Sequence, residues 1–267
     1  MRIFIVFLLC TSLMAAQDVD FTTNSPYETD WVKDGIWTGV GIGVSAYGLY
    51  LNLQKDDFTE QELNNLNKDD IAGIDRWVAG NSSESANSLS DIPFYASFAM
   101  PLVLLYDKNE RSHAGQIAGL YVETMATTAV FYTMSSALID RTRPLTYDTS
   151  LETDERADSK NKSSFLGGHV AATTAATMFA AKVYHDFNPN SKYRKWVWLT
   201  AGALPLAVGY LRMEAGKHFL TDNLAGYAVG IACGILVPEL HRKKNADISL
   251  FPLIGNDYRA MALTYKF

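Results

Sequence analysis

The chain has 267 residues, of which 48% are hydrophobic, with 23 Lys and Arg against 29 Asp and Glu and a net charge of −6. That is enough apolar material for one large domain or two small ones, and the mean hydropathy of −0.03 lies between a soluble protein and one buried mostly in lipid. There is no basic tract, which argues against a nucleic-acid partner.

Arg2 followed by the apolar run Ile3–Leu9 and by Met14-Ala15-Ala16 reads as a secretory signal over residues 1–16, with cleavage before Gln17. Cys10 leaves with it, so Cys233, inside an apolar run, is expected to be a buried single thiol outside any disulfide framework. Residues 17–244 form the helical body and 245–267 a tail. In the body, Gly35–Leu53 carries no charge, and its glycines allow close helix packing of the kind seen at membrane interfaces. The acidic, polar stretch 54–91 offers no chemistry of its own. Ile92–Tyr106, Ala114–Ile139, Phe165–Val183, Trp196–Leu211 and Asn223–Pro238 follow as further apolar segments. Some are shorter than the roughly 17–25 residues that span a bilayer, and periodicity does not separate a lipid-facing helix from a bundle core. The expected fold is all-α, a bundle of about six core helices. Alternation in Tyr258–Phe267 and the turn signal Gly255-Asn256-Asp257 add a short C-terminal β-hairpin.

The chemistry gathers at three joints between these segments. After the third comes Arg141-Thr142-Arg143-Pro144, two guanidinium groups stopped by proline at a helix end. Before the fourth comes Gly167-Gly168-His169, where glycines free backbone N–H groups for an anion at a helix N-terminus. Between the fifth and sixth comes Arg212, then His218 and Asp222 four residues apart, one helical turn. Each has a bland alternative: a solvated helix end, a flexible loop, a surface ion pair. His113, His185 and His241 lie among loop charges and read as surface residues.

In that order and at those joints, Arg143-Pro144, Gly168-His169 and Arg212/His218/Asp222 resemble the motifs of the type 2 phosphatidic acid phosphatase superfamily, over roughly residues 114–240. The resemblance implies a phosphatase that needs neither metal nor cofactor. His218 would attack phosphorus, Asp222 would orient it, and His169 would protonate the leaving oxygen. Arg143, Arg212 and the Gly168 N–H would hold the phosphoryl oxygens. The chain departs from the family pattern at Ser136, where a Lys is expected, at Leu166-Gly167 in place of Pro-Ser, and at Leu211 in place of Ser. Arg141 is the expected substitute for the missing Lys charge, and Gly167 an additional N–H donor.

The implied substrate is a phosphorylated lipid of the phosphatidate, polyprenyl pyrophosphate or lipid A type. The alternatives are a soluble periplasmic acid phosphatase acting on small phosphate esters and a catalytically weak phosphate- or lipid-binding protein. If all six helices cross a bilayer, Lys108, Arg111, Lys192, Arg194, Lys195, Arg242, Lys243 and Lys244 lie at the end opposite the motifs, so the positive-inside rule sets the motifs on the periplasmic side of the cell envelope. A cleaved signal would set Gln17 on that side too. Six crossings and a cleaved signal are therefore mutually exclusive.

Overall fold

The computed structural model describes residues 25–243 together with the backbone of two later strands. The signal expected over 1–16 lies outside the described residues. Six long helices form the body: α1 (Trp31–Asn52), α2 (Glu84–Phe98), α3 (Ala114–Leu138), α4 (Gly168–Phe187), α5 (Arg194–Glu214) and α6 (Leu220–Leu240). β1 (Ile248–Ile254) pairs antiparallel with β2 (Arg259–Tyr265), with Ile248 opposite Tyr265. The turn expected at Gly255-Asn256-Asp257 lies outside the described residues.

α4 is the axis of the bundle. Val170, Ala171, Ala175, Ala176, Phe179 and Val183 along it are buried. α6 runs parallel to it at backbone contact because Gly226, Gly230 and Gly234 recur every fourth residue on the facing side. A Cβ at Gly230 would stand 2.5 Å from Thr174 Cβ and 2.6 Å from the Ala171 carbonyl, which only glycine avoids. α1 packs on α3 through a similar stripe. Gly41, Ser45 and Gly48 are its buried residues, and a Cβ at Gly48 would meet Thr133 at 2.9 Å. Around the rest of α1, Trp31, Val32, Ile36, Trp37 and Val40 are exposed. A helix that buries its small residues and presents its large apolar ones reverses the soluble pattern.

α2 differs from the expected segment. It starts at Glu84, eight residues before the predicted Ile92, because the Ser83 hydroxyl caps it by accepting from Ala86 N–H at 3.2 Å. It ends at Phe98, and Ala99 leads into a separate turn of helix, Met100–Leu104, that carries Pro101. The extra turns bring Asn87, Ser90 and Asp91 into the bundle. Three contacts fix the sense of the neighbouring helices. Asn223 Nδ2 donates to Gly209 O at 3.0 Å and Tyr227 Oη to Gly202 O at 3.1 Å, so α5 and α6 are antiparallel. Ser83 N–H donates to Glu214 O at 3.0 Å, which makes α2 antiparallel to α5. The Arg143, His169 and Arg212–Asp222 joints consequently share one end of the bundle. Among the described residues, only α6 is long and apolar enough to cross a membrane by length and composition.

Candidate functional site

The loop that carries His218 is set by how α5 ends. Gly216 has φ +66, and a Cβ there would lie 1.8 Å from the Asn81 carbonyl. Its N–H donates to Met213 O at 3.0 Å and the Lys217 N–H to Arg212 O at 3.0 Å, the paired bonds of a Schellman stop. The chain leaves α5 at a fixed angle, and His218 enters the bundle with 3% of its surface exposed.

His218 Nδ1 lies 2.6 Å from the Ser164 carbonyl. A carbonyl only accepts, so Nδ1 carries the proton and Nε2 keeps its lone pair. Burial, with Arg212 and Arg143 next, holds this imidazole well below its ordinary pKa, so it is neutral at neutral pH. Asp222 was expected to orient it and is not bonded to it. Its Oδ2 accepts from Ser164 Oγ at 2.6 Å and from Phe219 N–H at 2.9 Å, while Oδ1 pairs with Arg141. The carboxylate reaches His218 only through Ser164, whose hydroxyl it holds and whose carbonyl holds the imidazole.

Two other expectations are corrected. Arg141 does not stand free for an anion: its guanidinium spans Asp222 and Asp75 Oδ2 (2.7 Å), donates to Thr221 Oγ1 at 2.9 Å, and lies over the Phe219 ring. Two buried carboxylates bind it more strongly than a transient ligand could. Gly167 donates its N–H to Asp222 O at 3.0 Å, so that group is already engaged. A serine there, as in the family pattern, must displace Asn223, whose Oδ1 would be 2.7 Å from the new Cβ. Gly168 opens α4, and its N–H has no acceptor within the helix.

Arg143, Arg212 and Lys217 are different. None has a carboxylate within salt-bridge distance among the described residues, and the Nε atoms of both arginines are buried without a partner. Arg212 Nη1 is steadied by Asn87 Oδ1 at 2.9 Å and Ser90 Oγ at 3.4 Å. Lys217 is pushed down in pKa by burial first and then by Arg143 and Arg212. Three cations without a carboxylate in salt-bridge contact, beside a neutral imidazole, are chemically suited to an anion. His169 completes it: its ring stacks on Phe94 with centroids 4.0 Å apart, and Nε2 lies 3.1 Å from Asp91 Oδ1.

Asp91, Asn87, Ser90, Asp75 and Lys217 belong to none of the sequence motifs. The stretch 54–91 shows no chemistry in its sequence, yet Asp75 also accepts from Thr221 N–H at 3.0 Å, capping α6 from outside. The Ser83-Glu84 start signal would have placed Asn87, Ser90 and Asp91 on one helical face. Nor are the other histidines all surface residues: His113 is 2% exposed, and His241 is partly buried between Asp34 and Glu123. Cys233 is buried and unpaired, as expected.

The model of the PAP2 superfamily matches residues 117–246. That match covers just under half of the chain, which over those residues is similar to the PAP2 superfamily. The matched segment contains all three joints. A stretch of 53 residues, 20% of this chain, is 38% identical to phosphatidylglycerophosphatase B of Bacillus subtilis (strain 168), and it spans about a quarter (26%) of that relative's length. Among solved structures, a transmembrane PAP2-type phosphatidylglycerolphosphate phosphatase from Bacillus subtilis is similar over 90% of this chain and 94% of its own, at 20% identity and a TM-score of 0.39.

Proposed function

We propose that this chain hydrolyses the phosphate ester or diphosphate of a lipid at a membrane surface through a phosphohistidine on His218. The observation that carries this reading is the set of Arg143, Arg212 and Lys217, without carboxylate partners, around a neutral His218 whose Nδ1 is fixed as a donor. The lone pair on Nε2 attacks phosphorus and the bond to the leaving oxygen breaks. His169 gives that oxygen a proton, then takes one from the water that cleaves the phosphohistidine. The three cations and the Gly168 N–H stabilise charge on the phosphoryl oxygens. Asp222 is a positioning residue, acting through Ser164. Asp91 holds the His169 ring in place.

Lys217 takes the part for which Arg141 was expected. Its loss in Lys217→Ala weakens inhibition by vanadate about tenfold, the size of one charge-assisted contact of about 1.4 kcal/mol. Inhibition constants equal to wild type would mean that the ammonium points away from the bound anion.

The lipid reading rests on the exposed apolar surface of α1 and on Leu89, Ile92, Tyr95 and Phe98 of α2, also exposed. The named relatives act, by their names, on phosphatidylglycerophosphate, which makes it the first substrate to try. The motif joints share one end of the bundle, and Lys108, Arg111, Lys192, Arg194, Lys195, Arg242 and Lys243 flank the other. The positive-inside rule then favours a motif end facing away from the cytoplasm. The test is hydrolysis of phosphatidylglycerophosphate, phosphatidate, a polyprenyl pyrophosphate and a water-soluble phosphate ester, in excess chelator, by detergent-purified protein. We expect turnover of at least one lipid in chelator with a kcat/KM well above that for the soluble ester. A preference for the soluble ester, with the protein released by osmotic shock, would replace this reading with that of a soluble periplasmic phosphatase.

A further inference from the structure

At the end of the bundle away from the phosphate site, three side chains distant in sequence converge. Asp34 comes from the first turn of α1, Glu123 from α3, and His241 from the residue that follows α6. Nineteen residues of helix separate Asp222 from His241, about 28 Å at 1.5 Å per residue. His241 Nε2 faces Asp34 Oδ1 at 3.2 Å and Glu123 Oε2 at 3.4 Å, and the three ligand atoms lie within 4.8 Å of one another. Glu123 is 7% exposed, and its Oε2 has no hydrogen-bond partner. A buried carboxylate oxygen that faces two other ligand atoms without a hydrogen bond is costly unless a positive charge sits among them.

We infer that Asp34, Glu123 and His241 bind a divalent cation of the zinc class that clamps α1, α3 and the end of α6. Zinc–nitrogen and zinc–oxygen bonds of about 2.0–2.2 Å set neighbouring tetrahedral ligands about 3.3 Å apart, which matches the two separations seen here. The supporting contacts are those of a metal site. His241 Nδ1 lies 2.8 Å from the Val237 carbonyl, so Nδ1 carries a proton and Nε2 is the nitrogen turned towards the ion. Asp34 Oδ2 accepts from Asp30 N–H at 2.9 Å, which leaves Oδ1 for the ion. Two carboxylates and a neutral imidazole neutralise a dication, and the imidazole selects zinc over magnesium or calcium. The ion would also tie down the segment before α1, because Glu28 N–H donates to His241 O at 2.7 Å and Lys243 N–H to Pro26 O at 2.8 Å.

The test uses full-length, tag-free protein stripped with chelator and titrated with zinc chloride by calorimetry, with cobalt(II) absorption as a second readout of ligand geometry. We expect one equivalent of zinc per chain, a tetrahedral cobalt spectrum, and a rise in melting temperature on adding zinc. Glu123→Gln and His241→Gln should each weaken zinc binding by about 100-fold or more and abolish the thermal shift. Asp34→Asn, nearer the surface, does the same job if either variant fails to fold. No stoichiometric binding by wild type would overturn the inference and leave a protonated His241 between two carboxylates. Zinc binding that survives these substitutions but is lost in His218→Ala would overturn it too, by moving the ion to the phosphate site.

Discussion

On the proposed mechanism, His218→Ala lowers hydrolysis of the preferred lipid phosphate by on the order of 10⁴-fold or more, because it would remove the atom that forms the covalent intermediate rather than one of several contacts. The fold should survive: the Schellman stop and the Asp222–Phe219 bond shape the loop without the imidazole. Wild-type protein mixed rapidly with phosphorus-32-labelled substrate and quenched in alkali should retain label on histidine, and His218→Ala should retain none. His169→Ala should also be slow, yet it should accumulate labelled histidine when the leaving group is good enough to depart unprotonated, since the second proton transfer is lost as well as the first. Label on His169 in the wild type, or full turnover by His218→Ala, would reverse the assignment of the two histidines.

Arg141→Ala gives the largest loss of stability. It leaves Asp75 and Asp222, 1% and 0% exposed, without the cation that spans them. Removing one partner of a buried ion network typically costs about 3–5 kcal/mol, because the opposing charge stays buried and unpaired. In a protein of this size that lowers Tm by roughly 6–20 °C. Arg141→Lys should recover only part of it, since an ammonium cannot present two parallel N–H edges to two carboxylates and a hydroxyl at once. Thermal unfolding in detergent, read by circular dichroism, measures the loss. Unchanged melting in Arg141→Ala together with weaker vanadate inhibition would return Arg141 to the anion.

The helices were legible because long uncharged runs between charged joints have few other ways to fold, and the three joints were legible because each concentrates Arg, Gly or His at a helix end. What the sequence hid was partnership. Arg141 and Arg143 stand two apart with the same chemistry, and only the positions of Asp75 and Asp222 separate a structural cation from a free one. Lys217 was adjacent to the nucleophile but had no register to a known motif. Asp91 falls at the end of the polar stretch because the apolar run that marks α2 begins one residue later, at Ile92. Asp34, Glu123 and His241 have no local spacing at all, since three helices supply one ligand each.

The two halves of the phosphate site are held by different means. His218, Asp222 and Arg141 are fixed by backbone groups and buried carboxylates at the joints, and Ser164 locks them to one another. Arg212 and His169 take their side-chain support from Asn87, Ser90 and Asp91, all on α2. That helix exposes Leu89, Ile92, Tyr95 and Phe98 on its outer surface and is broken at Ala99. α2 therefore contacts Arg212 and His169 with its inner face and exposes those four apolar side chains on the other. One helix thus carries the side-chain support of both Arg212 and His169, while His218 is held by the Ser164 carbonyl, outside that helix.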